Sequence, residues 1–447
     1  MNSSESHLSI YLFALGFLMV AALVIERYAL KLKIQGALML FGLALLINVG
    51  SYGVVVLHLE ELHQIGIAIL LFYAGLQIGP AVQQAKAKFK GELFHVILVS
   101  LLSLVLGTLL VGYLLTTPWS PFEGVKKPWL LGFMASYCYA IIDWGAIGFL
   151  FKRLRTHQEQ VIRLFQYEAS FGAAFLITIG TFVIEYFRFK GFQFPAFMSL
   201  GPLHAPMPIL AISVLTGYLL ARCLVGMIRV LRLERSEVTV ATIGFIFLGY
   251  GLTHSLFQST GGVSELVMGS YVALKTSANP HDYGPQSPQA RRESDHAIDS
   301  HISLQLQSIN IATEAALIFL VGLSINIGQL ARTIPIGMAL ALCLYLIRII
   351  AAFATHHLAS LFFRDPSAII SGHEFWIWLT GAPKGVIGLA LISCVPALIH
   401  EQSDGFKILF NLHHFEIIDT VCVAILSTML IQALLLPSIY RRMLDLA

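Results

Sequence analysis

Charge is what this sequence most lacks. Of 447 residues only 12% are Asp, Glu, Lys or Arg, against 57% in the apolar class, and the mean hydropathy is +0.78. A soluble domain carries roughly 25% charged residues, so this chain cannot wet a globular surface and reads as a membrane protein. The net charge of +3, with no clustered basic face, excludes a nucleic-acid binder. Cysteine is scarce too. Cys138, Cys223, Cys343, Cys394 and Cys422 lie singly in apolar runs, with no CxxC and no spacing for a disulfide framework or zinc site, and read as packing residues. The chain has no P-loop, so any transport must use an existing gradient, and GHEFWIW at 372–378 lacks the second His of a HExxH motif. An enzyme, a cofactor and a metal are therefore not expected. The opening MNSSESHLSI has no basic n-region, so the first apolar run is expected to remain as a helix.

What is present is apolar runs. A bilayer core about 30 Å thick needs about 20 apolar residues per helix. The sequence then offers about thirteen spans, near 10–26, 36–56, 64–82, 92–116, 128–151, 160–185, 207–230, 238–257, 262–275, 308–330, 334–357, 373–398 and 415–438. Basic residues gather in the odd-numbered connections: Arg27, Lys31 and Lys33; Lys86, Lys88 and Lys90; Lys152, Arg153 and Arg155; Arg229, Arg232 and Arg235. Because basic loops stay in the cytoplasm, the N-terminus is expected outside and the C-terminus inside; the membrane expected is a bacterial inner membrane, which the loops do not themselves identify. Residues 276–303 are rich in Pro, Ser, His and charge and read as a solvated cytoplasmic loop.

Two stretches echo each other. LLFYAGLQIGPAVQQAKAKFKG at 70–91 and FLVGLSINIGQLARTIPIG at 319–337 share Gly-Leu, a polar residue and Ile, then a polar stretch. Some way after each comes a span interrupted at its middle, by Asp143, Trp144 and Gly145 in one case and by Gly381, Pro383, Lys384 and Gly385 in the other. The copies are seven spans apart, and an odd offset makes them inverted, as in many secondary transporters. The fold expected is an all-α polytopic membrane protein with inverted repeats and two crossing interrupted helices. Freed backbone groups and helix dipoles at such breaks can meet ions. Bare charges are costly in hydrocarbon, so Asp143 and Lys384 must face protein or water, either neutralising helix ends or handling an ion directly.

These residues also resemble a known family, the monovalent cation/proton antiporter superfamily, in its sodium/proton antiporter and exchanger branch. DWGAIGFLFKRL at 143–154 is similar to the family's Asp-Pro-Val-Ala-Val stretch, and EAALIFLVGLS at 314–324 to its Glu-Thr-Phe helix. GAPKGVIGLAL at 381–391 resembles its Gly-Leu-Arg-Gly segment, with Lys384 in the Arg place, and GGVSELVMGSYVAL at 261–274 its Gly-Val-Leu-Ala helix. The resemblance implies a homodimer in the lipid bilayer that exchanges a monovalent cation for protons by an elevator-like motion. It implies scaffold helices at 1–91 and 207–330, and core helices at 92–190 and 334–440. It also implies that Glu168 in QYEASFG pairs with Arg348 in YLIRIIAAF.

One departure limits what carries over. The family's ion-binding Asn-Asp pair falls on Gly172 and Ala173 here, and the neighbouring Thr, Pro and Ser of the family pattern are replaced by Ile142, Trp144 and Ala169. A partly dehydrated cation needs several oxygen ligands. Three readings stay open: Asp143 and Glu168 take over cation and proton handling, with Tyr167 and Ser170 as further ligands; the fold serves another solute, such as an anion or weak acid, drawn by Lys384 and Arg348; or the chain is a non-transporting sensor. Glu265 and Glu314 read as helix-to-helix hydrogen-bonding groups.

Overall fold

The computed structural model describes residues 36–50, 60–84, 89–117, 128–142, 164–189, 206–231, 235–257, 262–278, 312–323, 327–362 and 413–434, parts of 375–392, and a few single residues elsewhere. Asp143, Trp144, Gly145, Pro383 and nearly all of the loop at 276–303 lie outside the described residues. Among the described residues all regular structure is helical. The helices are α1 (Gly36–Gly50), α2 (Glu60–Gln84), α3 (Phe89–Thr116), α4 (Pro128–Ala140), a π-helical turn (Glu168–Gly172) leading into α5 (Ala173–Phe189), α6 (Pro206–Leu231), α7 (Arg235–Phe257), α8 (Gly262–Ala278), α9 (Ala312–Leu323), α10 (Ile327–Phe362) and α11 (His413–Leu434). Gly91–Thr116, Leu210–Ile228, Ile327–Phe362 and Ile417–Leu434 are long and apolar enough to cross a bilayer. Their outward faces carry Leu109, Leu215, Leu342 and Phe353, all exposed, as lipid-facing positions require.

The chain divides into two compact units, Met1–Gly66 with Leu98–Phe165 and Ile311–Ala447, and Ile67–Ile97 with Gln166–Asn310. In the first, α10 lies along α11, and a Cβ on Gly337 would come within 2.6 Å of Val423. In the second, α2 crosses α8 with the backbones touching. A side chain on Gly75 would collide with the carbonyl of Leu266, and one on Gly269 with the carbonyl of Phe72. Lipid tails are as apolar as Leu, so membrane helices gain by close approach at small residues rather than by hydrophobic burial. Phe72, Leu224, Ile246, Met268 and Val272 pack around this crossing.

The repeat read in the sequence has a packing counterpart in each unit. Gly322 of α9 stands against α1, where its Cβ would meet Ala44 at 2.6 Å and the carbonyl of Phe41 at 3.1 Å. The sequence repeat pairs the span of α2 with that of α9, and the span of α1 with that of α8. The glycines of the two Gly-Leu motifs thus each make a close helix-to-helix contact, Gly75 with α8 and Gly322 with α1.

One boundary departs from the sequence reading. The tenth span was expected to run through 330 and the next to start at 334, but α9 ends at Leu323 and α10 begins at Ile327, with Pro335 inside it. The interruption falls where Asn48 of α1 reaches across. Its amide nitrogen donates to the carbonyls of Leu323 and Ile325 at 3.0 Å each and of Gly322 at 3.4 Å. Carbonyls released from a helix in hydrocarbon must find donors, and Asn48, itself buried, supplies them. Asn48→Ala is expected to lower thermal stability by about 1–3 kcal/mol, the cost of a stranded buried acceptor, readable as a fall in Tm of the detergent-solubilised protein. An unchanged Tm would mean that water or another group satisfies these carbonyls.

Candidate functional site

The first unit brings the two interrupted segments together. α4 ends at Ala140, and Ile141 and Ile142 continue as buried, non-helical chain leading to Asp143. Opposite them, Gly381, Lys384 and Gly385 are also buried and non-helical. The last carbonyls of a helix have no intrahelical donor, and here the carbonyl of Cys138 is seated directly on Gly388, where any Cβ would strike it. One residue further along α4, the ring of Tyr139 lies under the Lys384 ammonium, 4.8 Å from nitrogen to ring centroid. A cation over an aromatic face is attracted most strongly where water is excluded, and Lys384 is only 2% exposed.

α11 holds this crossing from the side. The backbone N–H of Lys384, freed by the break, donates to Gln432 Oε1 at 2.9 Å. Thr428, one turn earlier, gives its proton to the carbonyl of Ala424 at 2.9 Å and meets the Tyr139 hydroxyl at 2.9 Å. The Tyr139 hydroxyl therefore donates toward Thr428, with the Ala341 carbonyl of α10 at 3.2 Å as its second acceptor. Tyr139 is thus fixed at its tip by two helices while its face supports Lys384. Arg348 of α10 is likewise buried against an aromatic, with its guanidinium carbon 5.2 Å from the centroid of the fully buried Trp378 ring.

The second unit holds the remaining sequence-derived residues. Tyr167, Glu168 and Ser170 are all buried, in a segment whose hydrogen bonding slips from α to π over Glu168–Gly172. The N–H of Ala173 reaches the Glu168 carbonyl, five residues back. π-helical turns insert one extra residue per turn and recur at functional sites. This one spans Glu168 and Gly172 and closes at Ala173. Ser170 Oγ donates to the Gln166 carbonyl at 2.6 Å, so its proton is committed while its lone pairs remain available. Tyr167 packs with Val96 and, edge-on at 6.0 Å, with Phe171.

Thr428, Gln432 and Gly388 were not singled out from the sequence. Thr428 and Gln432 are polar interruptions of an apolar span and could have been flagged on that ground. Gly388 carries no local signal, since only its cross-chain neighbour gives it a task. Gly381 and Gly385 are buried and non-helical, and Gly145 and Pro383 lie outside the described residues. Glu265 bonds within its own helix, to Ser264, rather than between helices.

The family described as sodium/hydrogen exchanger, transmembrane, matches residues 10–442. Among solved structures, the sodium proton antiporter MjNhaP1 of Methanocaldococcus jannaschii at pH 8 superposes with a TM-score of 0.72 at 18% identity, covering 98% of each chain. An electron-microscopy map of the same antiporter gives 0.66 at 20% identity, covering 98% of this chain and 97% of that one. At these identities the likeness concerns the fold. No curated protein matches the chain.

Proposed function

The chain belongs to the sodium/hydrogen exchanger family, and from that premise we propose that it is a secondary transporter exchanging a monovalent cation, sodium or potassium, for protons. The observation that supports this most directly is the abutment of two interrupted helices at Cys138 and Gly388, with Lys384 held over Tyr139 beside it. Such a crossing collects helix ends and freed backbone groups at membrane depth, where ions can be coordinated. In this reading Asp143 and Glu168 handle the cation and the proton in turn, Tyr167 and Ser170 offer oxygen ligands, and Lys384 and Arg348 balance charge at the site. The protein works as a homodimer in a bacterial inner membrane, with its N-terminus outside. Its core helices, 92–190 and 334–440, carry the ion past scaffold helices 1–91 and 207–330 in an elevator-type motion.

The test is flux in proteoliposomes under an imposed pH gradient, with sodium, potassium or lithium supplied in turn, and with and without a membrane voltage. Cation-dependent collapse of the gradient is the expected result. Absence of flux with every cation, together with uptake of a labelled anion, would replace this reading with transport of an anion or weak acid drawn by Lys384 and Arg348. Absence of both would leave a sensor role.

The missing carboxylate gives a second test. Gly172→Asn combined with Ala173→Asp restores the pair at the close of the π-helical turn. The double variant is expected to lower the sodium concentration for half-maximal exchange several-fold, because added oxygens replace lost hydration. An unaltered or raised requirement for sodium would mean that these positions do not face the ion.

A further inference from the structure

The reading above leaves three described buried acids unused, Glu92, Glu265 and Asp419, and Glu265 is the most deeply buried of them. Glu265 of α8 is completely buried. Its Oε2 accepts a hydrogen bond from Ser264 Oγ at 2.9 Å, and its Oε1 has no hydrogen-bond partner among the described residues. Oε1 rests on Gly249 of α7, where a Cβ would stand 3.0 Å from it and 3.3 Å from Leu220 of α6. On the other side, the backbone of Ser264 is pressed against Gly217 of α6 so closely that a side chain there would overlap its carbonyl. Two glycines on two helices therefore let α6 and α7 close over the carboxyl. The nearby Gly249 carbonyl already receives the Thr253 hydroxyl at 2.8 Å.

The charge state follows from this cradle. Titratable side chains described on the helices packed around α8 are Tyr73 of α2, Tyr218, Arg222 and Cys223 of α6, and Glu237 and Tyr250 of α7, with Tyr271 and Lys275 on α8 itself. Among the described residues, none of these hydrogen-bonds the Glu265 carboxyl. The side chain of His254 lies outside the described ones. A carboxylate whose donors are the Ser264 hydroxyl and its own backbone N–H, shut in by glycine and leucine with no exposure to water, is heavily penalised, whereas a neutral acid suits such surroundings.

We propose that Glu265 is a proton-binding site on α8, separate from the acids assigned to ion exchange. Its ligand is the proton alone. Binding adds one proton to a carboxylate oxygen and cancels one negative charge; release returns both. Nothing in this site depends on which solute the protein carries.

The experiment is infrared spectroscopy of the full-length protein in liposomes at neutral pH, comparing wild type with Glu265→Gln and repeating the wild type with carbon-13 glutamate. A protonated-carboxyl C=O stretch is expected in the wild type, shifted by the isotope, absent from Glu265→Gln and displaced in Ser264→Ala. If Glu265→Gln does not fold, the isotope shift and the Ser264→Ala displacement carry the test by themselves. The proposal is overturned if the wild type shows only carboxylate bands, or if the protonated band persists in Glu265→Gln and is unmoved in Ser264→Ala.

Discussion

Asp143→Asn is expected to abolish pH-gradient-driven cation exchange, with a loss of roughly 100-fold or more, the scale at which a positioned proton-transferring group acts. Asn keeps the size of Asp and one carbonyl oxygen but cannot take up or release a proton, so the substitution separates titration from shape. The chain leading to Asp143 leaves α4 through Ile141 and Ile142, both buried and non-helical. An exchange site needs an acid removed from bulk water and close to helix-end groups, and the two residues before Asp143 are buried directly after the end of α4. The rate would be read from dequenching of a pH-sensitive dye in proteoliposomes, alongside gel filtration to check that the oligomer is intact. Glu168→Gln in parallel shows how the two acids share the work. Full exchange by Asp143→Asn would remove that residue from the mechanism and move the burden to Glu168.

The membrane fold was legible because the bilayer imposes it. Every backbone group must be satisfied within a helix there, and runs of about 20 apolar residues announce such helices without reference to the rest of the chain. The interrupted segment at Gly381, Lys384 and Gly385 was legible for the same local reason, since Gly weakens a helix and a charge in an apolar run stands out. The π-helical turn at Glu168–Gly172 was not. A shift of one hydrogen-bond register over five residues leaves the apolar pattern almost unchanged, and only Gly172 hints at it. Asn48 and Gln432 were hidden for another reason. Each serves backbone groups far away in sequence, Asn48 at Gly322 to Ile325 and Gln432 at Lys384, and a lone amide in a span does not name its partner. The misplaced boundary near Ile325 has the same origin, because Pro335 is the stronger local breaker yet sits inside α10, while the carbonyl of the non-helical Ile325 is held from α1 by Asn48.

Gly388→Val is expected to be as damaging as loss of Asp143, but through structure rather than titration. A Cβ at this position would overlap the Cys138 carbonyl and approach Ile425 of α11 at 3.5 Å. The overlapped atom is backbone, so no rotamer change relieves the clash and the two interrupted segments must separate. Separation would pull Lys384 from the Tyr139 ring and from Gln432, leaving buried donors and acceptors unmatched at about 1–3 kcal/mol each. Two or three such losses approach the marginal stability of a folded chain, so the variant should be poorly folded or strongly reduced in exchange. Gly226→Val on α6 is the control, because nothing lies within 4 Å of its Cβ position and the change in helix propensity alone is small. Thermal unfolding followed by fluorescence-detected gel filtration would separate the two variants, with Gly226→Val close to wild type. If Gly388→Val unfolded at the wild-type temperature and exchanged at the wild-type rate, the two segments would not abut at Cys138, and the crossing would be lost as the place where the ion is handled.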